Sequence, residues 1–218
     1  IIHDNFESDE AIGNMLVDVY AKFGSIEDAF KVFDSLKNPS KVSWSSLMGG
    51  YVKHGDGLLG LELFTRMQQK GIEPDKVAYL SALKACSITS TLMHGKLIHN
   101  QVVRSGHEHD TAIGNALIDM YANCGDLAKA QDVFDKLPCR DVISWTTLIT
   151  GYTKHEYNEQ ALNCFEKMQQ DGISLTLAKF VATLRGFIIL EALDKGWIVH
   201  VEIALEGGSL EEAHDILV

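Results

Sequence analysis

The chain has 218 residues and a mass of 24.1 kDa, enough for one ordinary domain or for several stacked units smaller than a domain. With 46% hydrophobic and 22% charged residues it is a folded chain and not a disordered tail. A net charge of −11 speaks against a simple basic nucleic-acid binder, and four cysteines without a CxxC pair speak against a disulfide framework or a zinc knuckle. No apolar run reaches membrane-spanning length; the longest candidate, Phe187 to Leu190, is halted by Glu191. The sequence opens at Ile1 with no basic n-region or arginine-rich presequence, so a targeting signal is expected to have been removed or to lie outside it. Three prolines leave room for long uninterrupted helices.

The sequence repeats itself. A shift of 101 residues places Asn14 on Asn115, Trp44 on Trp145 and Gly71 on Gly172. Residues 10–40 and 111–141 then share 14 identities, and 41–75 and 142–176 share another 14, which marks a duplication. The period divides into units of 31, 35 and 35 residues, and each unit reads as two helices. In 10–40, Leu16, Val19 and Tyr20 give a first apolar stripe, and Gly24 sits where a helix would end left-handed. Ser25 restarts the chain as an N-cap, with Asp28 three residues on. Ile26, Ala29, Phe30, Phe33 and Leu36 form the second stripe at helical spacing. In 41–75, Leu47 and Tyr51 precede Leu61, Phe64 and Met67, closed by Gly71 and Pro74-Asp75. The first pattern returns with Gly125-Asp126 before Leu127, Ala130, Phe134 and Leu137, and with Gly208-Ser209 before Leu210 and Ala213. No period-2 alternation is sustained. One such hairpin cannot bury its own apolar faces, so neighbours must stack. The expected fold is all-α, a right-handed α-solenoid of antiparallel helical hairpins.

The run from Thr111 to Asp126 (TAIGNALIDMYANCGD), followed by Val133-Phe134-Asp135 and Leu137-Pro138, resembles the short repeat of plant pentatricopeptide-repeat (PPR) proteins. Val142 to Tyr152 (VISWTTLITGY) resembles the standard repeat that follows it. The segment Leu83 to Cys86, with Gly95 to His99 and Ser105-Gly106, resembles the long repeat, and the alternation of lengths resembles the PLS subclass. The resemblance covers 10–204 and divides the chain into a partial long-type repeat at 1–9, a short repeat at 10–40, a standard repeat at 41–75 and a long repeat at 76–110. A short repeat at 111–141, a standard repeat at 142–176, an incomplete long repeat at 177–204 and a partial repeat at 205–218 follow. Two junctions depart from the pattern. The segment from His3 to Asp9 is shorter than its counterpart from His99 to Asp110, and the repeat offset drops from 101 to 83 around Gly207. Either the chain carries real deletions there, or it runs together across segments it lacks. A uniform tetratricopeptide period is not kept.

The resemblance implies that each repeat reads one RNA base through two or three side chains. The fifth and last residues of a repeat would contact the base edge, and the second residues of successive repeats would sandwich the base. The implied pairs are Asn14 with Ser40, Ser45 with Asp75, Leu80 with Asp110, Asn115 with Asp141, and Thr146 with Thr176. The sandwiching residues Val42, Val77, Ala112 and Ile143, with Ala11 and Ala178, are all apolar. By the family's code the array prefers C-G-N-U-R, with Leu80 giving no readout. Considered alone, Asn14 and Asn115 would cap or solvate helix starts.

The implied partner is single-stranded RNA, with editing-complex proteins or a deaminase supplied in trans; neither a membrane nor DNA is expected. The implied role is that of a specificity factor in organellar RNA processing, foremost C-to-U editing, in mitochondria or chloroplasts. The acidic charge predicts weak non-specific binding with a shallow salt dependence. Acidic residues such as Glu27, Asp28, Glu211 and Glu212 are expected on second helices, away from the RNA. The alternative is a protein-interaction scaffold of tetratricopeptide type.

Other motifs carry no chemistry. Cys86, Cys124 and Cys164 read as small apolar residues. His200-Val201-Glu202 matches the His-x-Glu of zinc deaminases, but no Pro-Cys-x-x-Cys follows to complete a zinc site. Pro138-Cys139 has Val142 where the second cysteine would stand. His107, Glu108 and His109 offer too few ligands on one loop, and Trp44 and Trp145 read as core. No catalytic constellation, metal site or cofactor is expected, and the chain is not read as an enzyme.

Overall fold

The computed structural model describes residues 10–173, which divide into two compact units, one ending at Leu137 and the other starting at Pro138. The sequence expectations for 1–9 and for the chain beyond Ile173, with Thr176, Ala178, His200 and the Gly207 junction, lie outside the described residues. The described residues form ten α-helices and no strand. In the first unit these are α1 (Glu10–Phe23), α2 (Ile26–Ser35), α3 (Lys41–Lys53), α4 (Gly57–Gln69), α5 (Lys76–Thr89), α6 (Leu92–Arg104), α7 (Thr111–Asn123) and α8 (Leu127–Lys136). The second unit holds α9 (Val142–Lys154) and α10 (Asn158–Gln170), packed on each other. The all-α, stacked-hairpin architecture expected from the repeats is the one observed.

In the first unit the odd-numbered helices α1, α3, α5 and α7 pack in succession. Each of α2, α4 and α6 touches its own hairpin partner and also the first helix of the next hairpin. That second contact is where a lone hairpin would leave apolar surface in water. Aromatic pairs mark it. Phe33 of α2 meets Trp44 of α3 edge-on, with ring centroids 4.6 Å apart, and Phe64 of α4 lies 6.0 Å from Tyr79 of α5. At the next step His99 of α6 sits 5.6 Å from Tyr121 of α7 and joins its hydroxyl through Nδ1 at 2.8 Å. Burial pushes the His99 ring below the ordinary histidine pKa and raises the Tyr121 phenol to about 12, so both stay neutral at pH 7. Phe33, Trp44, Phe64, Tyr79 and Tyr121 are all almost completely buried, each contributing on the order of 2 kcal/mol through lost apolar exposure.

The second stripes lie where the spacing predicts. Ala29 and Phe33, Leu61, Phe64 and Met67, and Ala130 and Phe134 are buried, and Gly24, Gly71 and Gly125 end their helices left-handed. The first stripe of α1 is displaced. Val17 and Ala21 are buried, Leu16 and Tyr20 are half-buried, and Val19 is exposed, because the face toward α2 and α3 also contains Gly13. Ser25 precedes α2, but its side chain makes no cap bond; the α2 start is closed by the backbone, with Ala29 N–H reaching Ser25 O at 2.9 Å.

Several glycines are there for want of space. A Cβ on Gly57 would stand 2.7 Å from Thr89 Cγ2 and 3.0 Å from the Ala85 carbonyl oxygen, so α4 meets the α5 backbone directly. Gly49, inside α3, would meet only Ser81 Oγ at 3.6 Å. Gly57→Ala is therefore expected to lose about 1–3 kcal/mol through overpacking against backbone. Gly49→Ala is expected to gain up to about 1 kcal/mol from helix propensity. Urea denaturation of the two variants checks this, and equal shifts would refute the close-approach reading.

Candidate nucleic-acid interface

Each odd-numbered helix after α1 begins on a side-chain cap, supplied by the residue at which the sequence division ends a repeat. Ser40 Oγ accepts from Ser43 N–H at 3.1 Å, Asp75 Oδ1 from Ala78 N–H at 2.8 Å, and Asp110 Oδ1 from Ile113 N–H at 3.1 Å. Asp141 Oδ1 accepts from Ser144 N–H at 2.8 Å, and Ser144 Oγ accepts in return from Asp141 N–H at 3.2 Å, a reciprocal capping box. Capping falls on these residues and not on Asn14 or Asn115, where the residues considered alone had placed it. The reason is register. Asn14 and Asn115 lie inside α1 and α7, past the orphan N–H groups of the first turn.

The fifth residues stand beside the caps in two of the expected pairs. Ser45 donates its hydroxyl hydrogen to Asp75 Oδ1 at 3.1 Å, the same oxygen that caps α5, which leaves Asp75 Oδ2 outside both bonds. Ser45 itself is only 3% exposed, so Asp75 is the half-buried, reachable member. Asn14 Oδ1 accepts from Ser40 N–H at 2.8 Å and from Ser43 Oγ at 2.6 Å, while Nδ2 donates to Glu10 O at 2.6 Å. Both lone-pair directions of the amide oxygen and one of its two N–H donors are thus engaged within the protein. Asn115 is 9% exposed, and Asp141 is exposed. In the second unit Thr146 gives its hydrogen to Val142 O at 2.7 Å, keeping oxygen lone pairs for an outside donor. Thr176 lies outside the described residues.

The second residues are exposed despite being apolar. Val42, Val77 and Ile143 show 60%, 53% and 52% of their surface, and Ala11 and Ala112 are exposed too. Val42, Val77 and Ile143 each stand two residues past a polar cap, so the same exposed apolar position recurs at three helix starts. The odd-numbered helices are also not acidic. They carry Lys22, Lys41, Lys53, Lys76, Lys84 and Lys154 against Glu10, Asp18 and Asp119. Glu27 and Asp28 are exposed on α2, as expected of second helices; Glu211 and Glu212 lie outside the described residues. Two first-helix acids are occupied. Asp18 takes Lys22 and Ser46, and Asp119 takes Lys84, Ser87 and Asn123, a network that the spacing did not reveal.

The remaining motifs are structural. Trp44 and Trp145 are 2% and 3% exposed. Cys86 is fully buried, and burial raises its thiol to about 11, far from a reactive thiolate. Among the described residues no cluster of His, Cys, Asp and Glu could hold a metal ion, and no helix is long and apolar enough to cross a membrane.

Comparison with known proteins names the repeat. A family model described as the PPR repeat family matches residues 39–87 and 140–187, and one described as the PPR repeat matches 14–38 and 115–142. The chain belongs to the plant pentatricopeptide-repeat proteins. A mitochondrial pentatricopeptide repeat-containing protein of Arabidopsis thaliana is 35% identical over 90% of this chain and 31% of its own length. A chloroplastic one from the same plant is 35% identical over 86% of this chain and 36% of its own length. A third, putative by name, reaches 42% over 77% of this chain and 34% of its own. The chain thus spans about a third of the length of these curated relatives, of which the first is named as mitochondrial and the second as chloroplastic. The solved pentatricopeptide repeat protein PPR10 from maize aligns over 96% of this chain and 41% of that one, at 18% identity and a TM-score of 0.51. The nuclear proteinaceous RNase P 2 of A. thaliana aligns over 83% and 41%, at 17% and 0.59. Both show the pentatricopeptide-repeat fold of stacked helical hairpins.

In this pentatricopeptide-repeat chain one carboxylate both caps a helix and anchors a fifth-position side chain. Asp75→Ala should therefore cost about 1 kcal/mol as a lost cap. Asp75→Asn, which still caps, should retain most of it. Guanidinium denaturation of the two variants tests this, and equal losses would show that capping is not what Asp75 does.

Proposed function

We propose that this chain is a sequence-specific single-stranded RNA-binding segment, in which each hairpin faces one base. What carries the reading is a recurring layout: an exposed apolar second residue, a capping last residue, and in the Asn14–Ser40 and Ser45–Asp75 pairs a fifth residue bonded to it. We take the repeats as 10–40, 41–75, 76–110, 111–141 and 142–176, with partial units at 1–9, 177–204 and 205–218, in the short, standard and long alternation of the PLS subclass. Val42, Val77, Ala112 and Ile143 sandwich successive bases. Ser45, Asp75, Asn115, Asp141 and Thr146 read their edges, with Thr176 as the partner of Thr146. Asn14 and Ser40 form the weakest reader, because most of the Asn14 amide is already bonded. The preferred order is C-G-N-U-R.

The chain supplies recognition and no chemistry. It holds an organellar transcript, in a mitochondrion or chloroplast, for processing done by others, foremost C-to-U editing by a deaminase or editing-complex proteins acting in trans. Lysines on the odd-numbered helices supply some phosphate attraction, but a net charge of −11 keeps non-specific affinity low and its salt dependence shallow.

Fluorescence anisotropy with two short RNAs, one carrying C-G-N-U-R and one with its G and U exchanged, tests the assignment. The first RNA should bind better, with affinity on the order of micromolar. The double variant Asn115→Thr with Asp141→Asn should shift its fourth-base preference from uracil to adenine. Equal binding of both RNAs and of a scrambled control at low salt would overturn the reading and favour a protein-binding scaffold.

A further inference from the structure

The third hairpin, α5 with α6, differs from its neighbour in one contact. Its last residue, Asp110, caps α7 through Oδ1 as the other caps do. Its Oδ2, however, accepts from Lys76 Nζ at 2.7 Å, across 34 residues, from the first position of the same repeat. The bonds of Asp75 in the preceding repeat all fall on Oδ1, to Ser45 and Ala78, although that repeat also begins with a lysine, Lys41. Lys41 makes no ion pair among the described residues. The fifth residues also differ. Ser45 can donate to its aspartate and Leu80 cannot, so Asp110 has Lys76 as its side-chain partner. The effect is visible in charge: the Lys76 hydrogen bond, ahead of the cap N–H groups, holds the Asp110 carboxyl below the usual carboxylate range.

Resting on the RNA reading above, we propose that Lys76 is a specificity determinant of the third repeat: it occupies the one carboxylate oxygen of Asp110 that could meet a base and so leaves the repeat indifferent to base identity. Two features then silence this position, an apolar fifth residue and a neutralised last residue. Restoring a polar fifth residue alone is not enough. An asparagine at 80 would meet Asp110 from the side that Ser45 uses on Asp75, toward the capping oxygen, and Lys76 would keep the other.

The test uses the full chain with RNAs differing only at the third base. Leu80→Asn should gain at most a weak preference for uracil in low salt. Leu80→Asn with Lys76→Met should show that preference strengthened by up to about fivefold, the range of an exposed ion pair. Because salt screens such a pair, raising salt should increase discrimination by the single variant and leave that of the double unchanged. By NMR titration, the Asp110 carboxyl should move up toward the ordinary range in Lys76→Met. Equal preference in the single and double variants would overturn the proposal. So would an equal weakening of all RNAs by Lys76→Met, which would make Lys76 a phosphate contact. If the double variant does not discriminate the third base while the G and U exchange is still discriminated, the masking fails and RNA reading stands. If neither is discriminated, both fall.

Discussion

The bond on which most of this structure turns is the one between a closing side chain and the N–H groups of the next helix. Ser40, Asp75, Asp110 and Asp141 each stand just before an odd-numbered helix and cap it. The cap satisfies an orphan donor of the first turn and places a negative or partly negative group at the positive end of the helix. It also fixes where each odd-numbered helix starts, and so which side chains occupy its second and fifth positions. Were α5 to start one residue later, the small Ala78 would take the second position from Val77, and the large apolar side chain there would be lost.

Around that register the packing is repetitive because the problem is repetitive. In the first unit α2, α4 and α6 are each apolar on a face wider than their own partner covers, and the next first helix covers the rest. Phe33 on Trp44, Phe64 against Tyr79, and His99 bonded to Tyr121 solve the same step three times with different rings. The glycines let neighbouring helices approach closely. With a side chain at Gly57, α4 could not lie against the α5 backbone, and at Gly13 an added Cβ would fall 2.5 Å from Leu36 Cδ2.

Much of this was legible in the sequence because a duplication displays its constraints twice. Gly13 and Gly114 recur together with Leu36 and Leu137, and the structure seats each glycine under its leucine. Hairpin existence and the second stripes followed from helical spacing. The first stripe of α1 was misjudged because spacing alone does not say that Gly13 belongs to the packed face, which rotates the buried set to Val17 and Ala21. Hydrogen-bond partners were the least legible. That Asn14 spends its amide on Ser40 and Ser43, or that Asp110 meets Lys76, depends on contacts 26 to 34 residues apart in sequence. Ser40, a short polar residue four positions before the buried Trp44, could have suggested the cap, since good caps are short and polar. One departure runs the other way. Glu156 adopts φ +65 where the first copy has Gly55 at +90, so the second copy makes the left-handed turn without the residue best suited to it.

The double duty of the closing residue has an evolutionary reach. Helix starts are capped well by Ser, Thr, Asp and Asn and poorly by almost everything else. Those four side chains also differ in what they present outward: a hydroxyl that both gives and takes, a carboxylate that only takes, an amide that does each at a different atom. Positions 40, 75, 110 and 141 can therefore drift among the four with the helices still closed, while the polar edge beside each helix start is rewritten. The fold tolerates an alphabet of four letters at these sites, and the tolerance comes from capping rather than from any ligand.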